Sequence, residues 1–256
     1  LSRFDFIPIS QGTGPKLYTH WLPLLVVVSL TLVSQLASVS YTSTQSFTAI
    51  LLPSTAALLA VTVPLAAAGL WLGSRVGLGT PLLTALLTRS PDARRQLKRD
   101  TLLAVALGFS VGIFLWMLRI VFAQFLPPDL PELGHRGVVG GLLVSISAAI
   151  GEEVWLRLGV MTALAWLMMR VLDQLELRPT VAWTAIVIAA LSFGAIHLPQ
   201  LATAGAATAT GIVATMLGNT LVGLVCGWLF WRRGLIAAIV AHFSIDFVLH
   251  VLPALV

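Results

Sequence analysis

Six side chains that can do acid–base or ligand chemistry lie inside long apolar stretches of the chain. They are Glu152, Glu153, Arg157, His197, His242 and Asp246. A charged side chain at membrane depth costs at least about 2.5–3.5 kcal/mol, so it usually faces a partner or water and marks a functional site. Their concentration predicts a single polar site built by the second half of the chain.

The spacing of the two adjacent glutamates indicates different roles for them. Neighbouring residues on an α-helix point about 100° apart, so the two side chains cannot face the same group. Arg157 follows Glu153 by four residues, in the favourable order of acid before base, and this predicts an ion pair. Glu152 is then left to face a polar cavity.

His242 and Asp246 are also four residues apart, so both point to one face of their helix. We expect them to share the Glu152 cavity with His197, which comes from another apolar stretch. A carboxylate held there suits a general base. Two histidines from different helices could polarise a water directly or hold a metal whose open position is that water. The alternative is that each histidine only joins helices by a hydrogen bond, and that Glu153 with Arg157 is a structural pair.

The elements that position these residues are membrane spans. Of the 256 residues, 58% are hydrophobic and only 10% are charged, whereas soluble domains carry about 25% charged residues. Apolar runs of about 20 residues predict transmembrane α-helices, since each is long enough to cross the hydrocarbon. The fold class expected is all-α, a polytopic transmembrane helix bundle with about seven to eight spans and a short interfacial helix at 76–88. The spans are predicted at 17–39, 47–73, 101–126, 138–172, 180–198, 205–231 and 234–252.

Charge sets the orientation and the organisation of the chain. The basic loop between Arg89 and Arg99 is predicted to lie in the cytoplasm, and the amino terminus, with Arg3 and Lys16, lies on the same side. We expect one membrane domain, with N-terminal spans and this loop over 1–100 and a core bundle over 101–256. The basic residues are scattered, so they do not indicate nucleic-acid binding.

Four pairs of glycines are four residues apart, and we expect them to permit close helix packing. The pairs are 69/73, 108/112, 137/141 and 223/227.

The single cysteine, Cys226, excludes intramolecular disulfides, and we expect no cysteine-based zinc site. The first apolar run could be a signal-peptide core, but a retained span is favoured because no clear cleavage site follows it.

The polar residues form a pattern that resembles a known family. Glu152 to Arg157 reads EExxxR, Phe193 to His197 reads FxxxH, and His242 to Asp246 reads HxxxD. In this order, each on its own apolar helix, the motifs resemble those of the CPBP intramembrane proteases. That family includes the Rce1-type CAAX prenyl endopeptidases and bacterial bacteriocin-immunity proteins. The resemblance covers about residues 138–250.

The resemblance implies an intramembrane endopeptidase of metallo or glutamate type that cuts a membrane-associated peptide or protein with activated water. It implies Glu152 as general base, Glu153 with Arg157 as an orienting pair, and His197 and His242 as holders of the water or of a metal. The cofactor is then zinc, or there is none. A multi-pass protein of the bacterial plasma membrane is expected. The alternatives are a proton-coupled transporter and a catalytically inactive scaffold or immunity protein.

Two positions depart from the family's pattern. Asp246 stands where many relatives have Asn, and an ionised Asp cannot donate a hydrogen bond to an oxyanion. It is either protonated, or it orients His242 or ligates a metal. Leu158 stands where relatives commonly have Gly, which indicates a change in packing. The predicted span ends place Glu152 and His197 at different depths in the membrane, although both are expected in one site. A break in a helix would bring them together, and we expect such breaks near Gly151 and Pro199.

Overall fold

The computed structural model describes residues 18–256, and within this range all regular secondary structure is helical. The helices are α1 (Tyr18–Thr42), α2 (Phe47–Val76), α3 (Pro81–Leu87), α4 (Ala93–Val121), α5 (Gly137–Glu152), α6 (Thr162–Val171), α7 (Pro179–Ile196), α8 (Leu198–Thr203), α9 (Ala209–Arg233) and α10 (Leu235–Asp246). A π-helix, Glu153–Met161, joins α5 to α6, and another, Phe247–Val251, follows α10. Short 3-10 turns lie at Ala123–Phe125 and Leu252–Leu255.

Seven of the helical stretches in the described part of the chain are long and apolar enough to cross a membrane. They are Trp21–Thr42, Phe47–Val76, Ala93–Val121, Gly137–Val171, Pro179–Thr203, Ala209–Arg233 and Leu235–Leu255. The all-α polytopic bundle predicted from the sequence is therefore confirmed, and the protein is an integral, multi-pass membrane protein. The predicted Arg3 and Lys16 signals for orientation lie outside the described residues.

The largest shift from a predicted span concerns α4. Its predicted start was residue 101, but the helix begins at Ala93, inside the basic segment. Long basic side chains at a helix end can extend toward water, so hydropathy alone starts the helix too late. The short helix α3 falls within the predicted interfacial segment 76–88, and its Leu82 and Ala85 pack against Ala93.

Close contacts at glycine join the helices, as expected for most of the glycine pairs. A Cβ at Gly108 would lie 2.5 Å from the Ala241 carbonyl oxygen of α10, and α7 residues crowd Gly223 and Gly227 of α9 in the same way. Gly69 of α2 abuts the backbone of Leu158. Gly137 does not fit this pattern, because it has a positive φ of 69° and open space around it.

The helix that carries the glutamates is longer than the hydrocarbon is thick. It runs from Gly137 to Val171, 35 residues. From Glu152 the chain runs 19 residues, about 28 Å, to the end of α6 at Val171. It then returns in the opposite direction along α7, and His197 lies 18 residues, about 27 Å, beyond the start of this helix at Pro179. Because α6 and α7 pack together after the short turn at 172–178, His197 returns to the level of Glu152. The predicted difference in depth between Glu152 and His197 arose because both spans were assumed to end at the membrane surface.

Candidate active site

An ion pair with no solvent exposure forms the base of the site. Glu153 and Arg157 are both 0% exposed, and Arg157 Nε lies 3.2 Å from Glu153 Oε2. The second Glu153 oxygen, Oε1, accepts a hydrogen bond of 2.9 Å from His242 Nδ1. The pair predicted at i,i+4 is present, and it also holds a histidine from α10. Buried charges need such partners, because an unpaired charge in an apolar interior is very costly.

The Glu153 contact decides how the His242 ring is presented. A carboxylate can only accept, so Nδ1 carries the proton that it donates to Glu153. The opposite nitrogen, Nε2, lies 3.7 Å from Glu152 Oε2 and 3.7 Å from Asp246 Oδ2. These distances are too long for direct hydrogen bonds, but one water can reach two such groups.

Glu152 lies at the edge of this cluster rather than inside it. Its side chain is 19% exposed, whereas that of Glu153 is 0% exposed. Its Oε2 atom is nonetheless buried and has no hydrogen-bond partner among the described residues. Buried polar atoms are normally satisfied by protein or water. Glu152 therefore combines a carboxylate oxygen that has no hydrogen-bond partner with a side chain that is partly exposed.

Phe193 brings His197 to the same cluster. The Phe193 ring contacts both imidazoles edge to face, with centroids 4.8 Å from His197 and 5.6 Å from His242. The Arg157 guanidinium lies 4.9 Å from the same ring. His197 Nδ1 is 2.8 Å from the Phe193 carbonyl, so this nitrogen donates there and Nε2 stays available. Both histidines are thus held through Nδ1.

Two irregular helices begin beside the motif residues. The π-helix Glu153–Met161 begins directly after Glu152, and the π-helix Phe247–Val251 begins directly after Asp246. The Thr162 hydroxyl donates to the Arg157 carbonyl at 3.0 Å, a contact that spans five residues and stabilises the wide turn. Single-turn π segments recur at functional sites. The irregular point expected near Gly151 is this change of helix type.

A group that could hold a metal includes the cysteine. Ligand atoms of Glu153, Cys226 and His242 all lie within 4.8 Å of one another, and all three residues are buried. Such a mixed set suits zinc by atom type. A single cysteine therefore did not exclude a cysteine-containing metal site, because counting cysteines does not reveal mixed ligand sets. His197, predicted as a ligand with His242, belongs to no such compact group within residues 18–256.

The charges around that group oppose a bound cation. Arg157 already neutralises Glu153, and His242 uses Nδ1 to donate to the same carboxylate. A metal ion would have to displace both contacts next to a buried guanidinium. The atom types of Glu153, Cys226 and His242 suit zinc, but the existing contacts of Glu153 with Arg157 and His242 do not leave these atoms free to bind it.

The fold and the site together define a class: a polytopic membrane protein with a buried carboxylate–imidazole cluster between its helices. Residues 134–248 match a family model described as type II CAAX prenyl endopeptidase Rce1-like. Over these residues the chain is similar to the Rce1-like family, and the match agrees with the resemblance recognised from the three motifs. Comparisons with curated proteins and with solved structures gave no match. The matched segment contains all six predicted site residues.

Proposed function

We propose that the protein is an intramembrane endopeptidase that hydrolyses a peptide bond of a membrane-associated substrate with water activated by Glu152. The observation that carries this proposal is the division between the adjacent glutamates. Glu153 is engaged by Arg157 and His242, whereas Glu152 presents an unpartnered oxygen 3.7 Å from His242 Nε2. That pair of atoms can hold one water between a base and an imidazole.

In the proposed reaction Glu152 removes a proton from the water as it attacks the scissile carbonyl carbon. The carbonyl oxygen becomes an oxyanion; when this oxyanion re-forms the C=O bond, the C–N bond breaks and Glu152 returns the proton to the leaving amine nitrogen. His197 and His242 each have Nε2 free to position the water. Asp246 Oδ2 lies 3.7 Å from His242 Nε2, so this side chain can contact the same water, and in its ionised form it accepts hydrogen bonds but cannot donate one to the oxyanion.

We infer that the side chains alone hold the water. Glu153 already accepts a hydrogen bond from His242 and forms an ion pair with Arg157. If zinc were bound by Glu153, Cys226 and His242, it would supply a Lewis acid that makes water easier to ionise. Metal analysis of the purified protein, combined with cleavage in chelator, separates the two mechanisms. Zinc at one equivalent with activity lost in chelator would refute the metal-free proposal.

The test of the endopeptidase proposal uses a farnesylated peptide ending in a CAAX sequence, the substrate class in the description of the matching family. Wild-type protein in vesicles should release the C-terminal fragment. Glu152→Gln should abolish release while the protein stays folded, because Gln is isosteric but cannot take the proton. Undiminished turnover by Glu152→Gln would refute the assignment. Proton uptake into liposomes that depends on Glu152, without cleavage, would instead support a transporter.

A further inference from the structure

Positive charge is concentrated at the end of the bundle where α3, the start of α4 and the end of α9 meet. The proposed hydrolysis uses none of these side chains. We call them the basic surface, and they are Arg89, Arg94, Arg95, Lys98, Arg99, Arg232 and Arg233. The acids in the same segments are Asp92 and Asp100.

Direct contacts between helices join these segments into one surface. Asp100 of α4 is buried, and its Oδ1 atom lies 3.5 Å from Arg233 Nη1 of α9 and 3.4 Å from Arg99 Nε. The helix α3 packs against the start of α4 through Leu82 and Ala93. The fold therefore holds the basic side chains around one buried acid.

Most of the positive charge on the basic surface is not neutralised within residues 18–256. Asp100 is occupied by Arg99 and Arg233, and Asp92 forms no ion pair in this range. The other five cations also form none there, and all five are exposed: Arg89, Arg94, Arg95, Lys98 and Arg232. The amino-terminal end of a helix dipole is positive, so α4 adds to this potential. The basic surface therefore suits an anionic partner.

The length of α4 places the basic surface at the level of the lipid headgroups. From Asp100 to its end at Val121 this helix is about 33 Å long, which already crosses the roughly 30 Å of hydrocarbon. The preceding residues, 93–99, extend about 10 Å further, into the headgroup layer. Lipid phosphates lie at this depth, whereas a nucleic acid or an acidic protein would have to approach from the water.

Arg89 has a backbone conformation that favours glycine. Its φ is 56°, and its N–H donates to the Leu86 carbonyl at 3.1 Å just after α3. This left-handed region is disfavoured for a residue with a Cβ, whereas glycine adopts it freely. Local folding therefore does not account for an arginine at this position, whereas an anionic partner does.

We propose that the basic surface binds the headgroups of acidic phospholipids through their phosphates. Clusters of about four to eight basic residues beside a spanning helix are typical of proteins that bind such lipids. The inference is independent of the proposed hydrolysis, and it gives the protein a preference among the lipids that surround it.

The test measures lipid binding to the whole protein in a neutral detergent by native mass spectrometry. Phosphatidylglycerol is the anionic probe, and phosphatidylcholine carries the same phosphate without a net charge. The wild type should bind phosphatidylglycerol at least about 10-fold tighter, since each basic residue near the surface contributes about fivefold. Raising ammonium acetate from about 0.05 to 0.5 M should reduce this preference, because salt screens surface charges.

A triple variant and a matched control locate the binding surface. Arg94→Gln/Arg95→Gln/Lys98→Gln should remove most of the preference for phosphatidylglycerol. The control, Arg75→Gln/Arg170→Gln/Arg178→Gln, removes the same charge from exposed arginines outside the basic surface, and it should keep the preference. Equal losses in the two triple variants would show an effect of net charge alone and overturn the proposal.

A wild type that binds both lipids equally would also overturn the proposal. So would a DNA duplex of about 20 base pairs that binds the wild type more tightly than phosphatidylglycerol does and is lost in Arg94→Gln/Arg95→Gln/Lys98→Gln, because nucleic acid would then be the partner.

Arg89→Gly separates lipid binding from folding. Glycine relieves the left-handed conformation, so this variant should melt no lower than the wild type. It should nevertheless bind phosphatidylglycerol about 3- to 5-fold more weakly, because one cation of the basic surface is lost. A lower melting temperature together with weaker binding would indicate a role in folding and count against the proposal, and unchanged binding would contradict the role of Arg89.

Discussion

Removing Arg157 should destabilise the protein strongly, because Glu153 would keep its charge in a place without water. Both side chains are 0% exposed, and breaking one partner out of a buried ion pair costs about 3–5 kcal/mol. For a protein of this size 1 kcal/mol shifts the melting temperature by roughly 2–4 °C, so Arg157→Met should melt about 6–20 °C lower. The loss of the guanidinium over the Phe193 ring acts in the same direction.

The chain contains its own reporter for this measurement. Cys226 is the only cysteine and is 0% exposed, so a maleimide fluorophore should label it only as the protein unfolds. Arg178→Met, which removes an exposed arginine, is the matched control and should melt with the wild type.

A double variant tests the cause of the destabilisation. Glu153→Gln combined with Arg157→Met removes both charges and should recover most of the loss, since apolar or neutral replacements of a buried pair are often close to neutral. A single Arg157→Met protein that melts with the wild type would refute the reasoning. So would a double variant that is no more stable than Arg157→Met alone.

Two other outcomes can be checked directly. Gly108→Ala should destabilise the protein by about 1–3 kcal/mol through overpacking and should reduce cleavage, because the new methyl group would meet α10 beside Ala241. Gly218 has open space around it, so Gly218→Ala is the control. In the same melting assay this variant should be neutral or more stable by up to about 1 kcal/mol. Folded protein should also resist maleimide at Cys226 as measured by intact mass, and rapid labelling without denaturant would contradict the burial described above.

Hydropathy was sufficient to predict the helix bundle, and motif spacing was sufficient to predict the family that residues 134–248 match. The apolar runs located the seven spanning helices to within a few residues at most ends, because length and hydrophobicity decide membrane insertion. The i,i+4 spacing of Glu153 and Arg157 predicted their contact, because both lie on one helix and local geometry suffices.

Contacts between helices could not be predicted in this way. The hydrogen bond from His242 Nδ1 to Glu153 joins residues 89 positions apart on different helices. The pattern of apolar residues along one helix does not predict how that helix is aligned with another. The approach of Cys226 from α9 was missed for the same reason. The π-helix at Glu153–Met161 also has no signal in the sequence, since it depends on packing such as that of Leu158 against Gly69.

The first two helices contact the glutamate-bearing helix through neutral groups. Gln35 donates to the Ser147 carbonyl at 2.9 Å, Trp155 donates to the Thr62 hydroxyl at 3.0 Å, and Gly69 leaves room for a neighbouring backbone. These contacts demand a shape and a few uncharged donors, which many different sequences can supply. The acids and imidazoles allow no such freedom. The positions where α1 and α2 meet the glutamate-bearing helix should therefore tolerate more substitutions than the buried acids and imidazoles do.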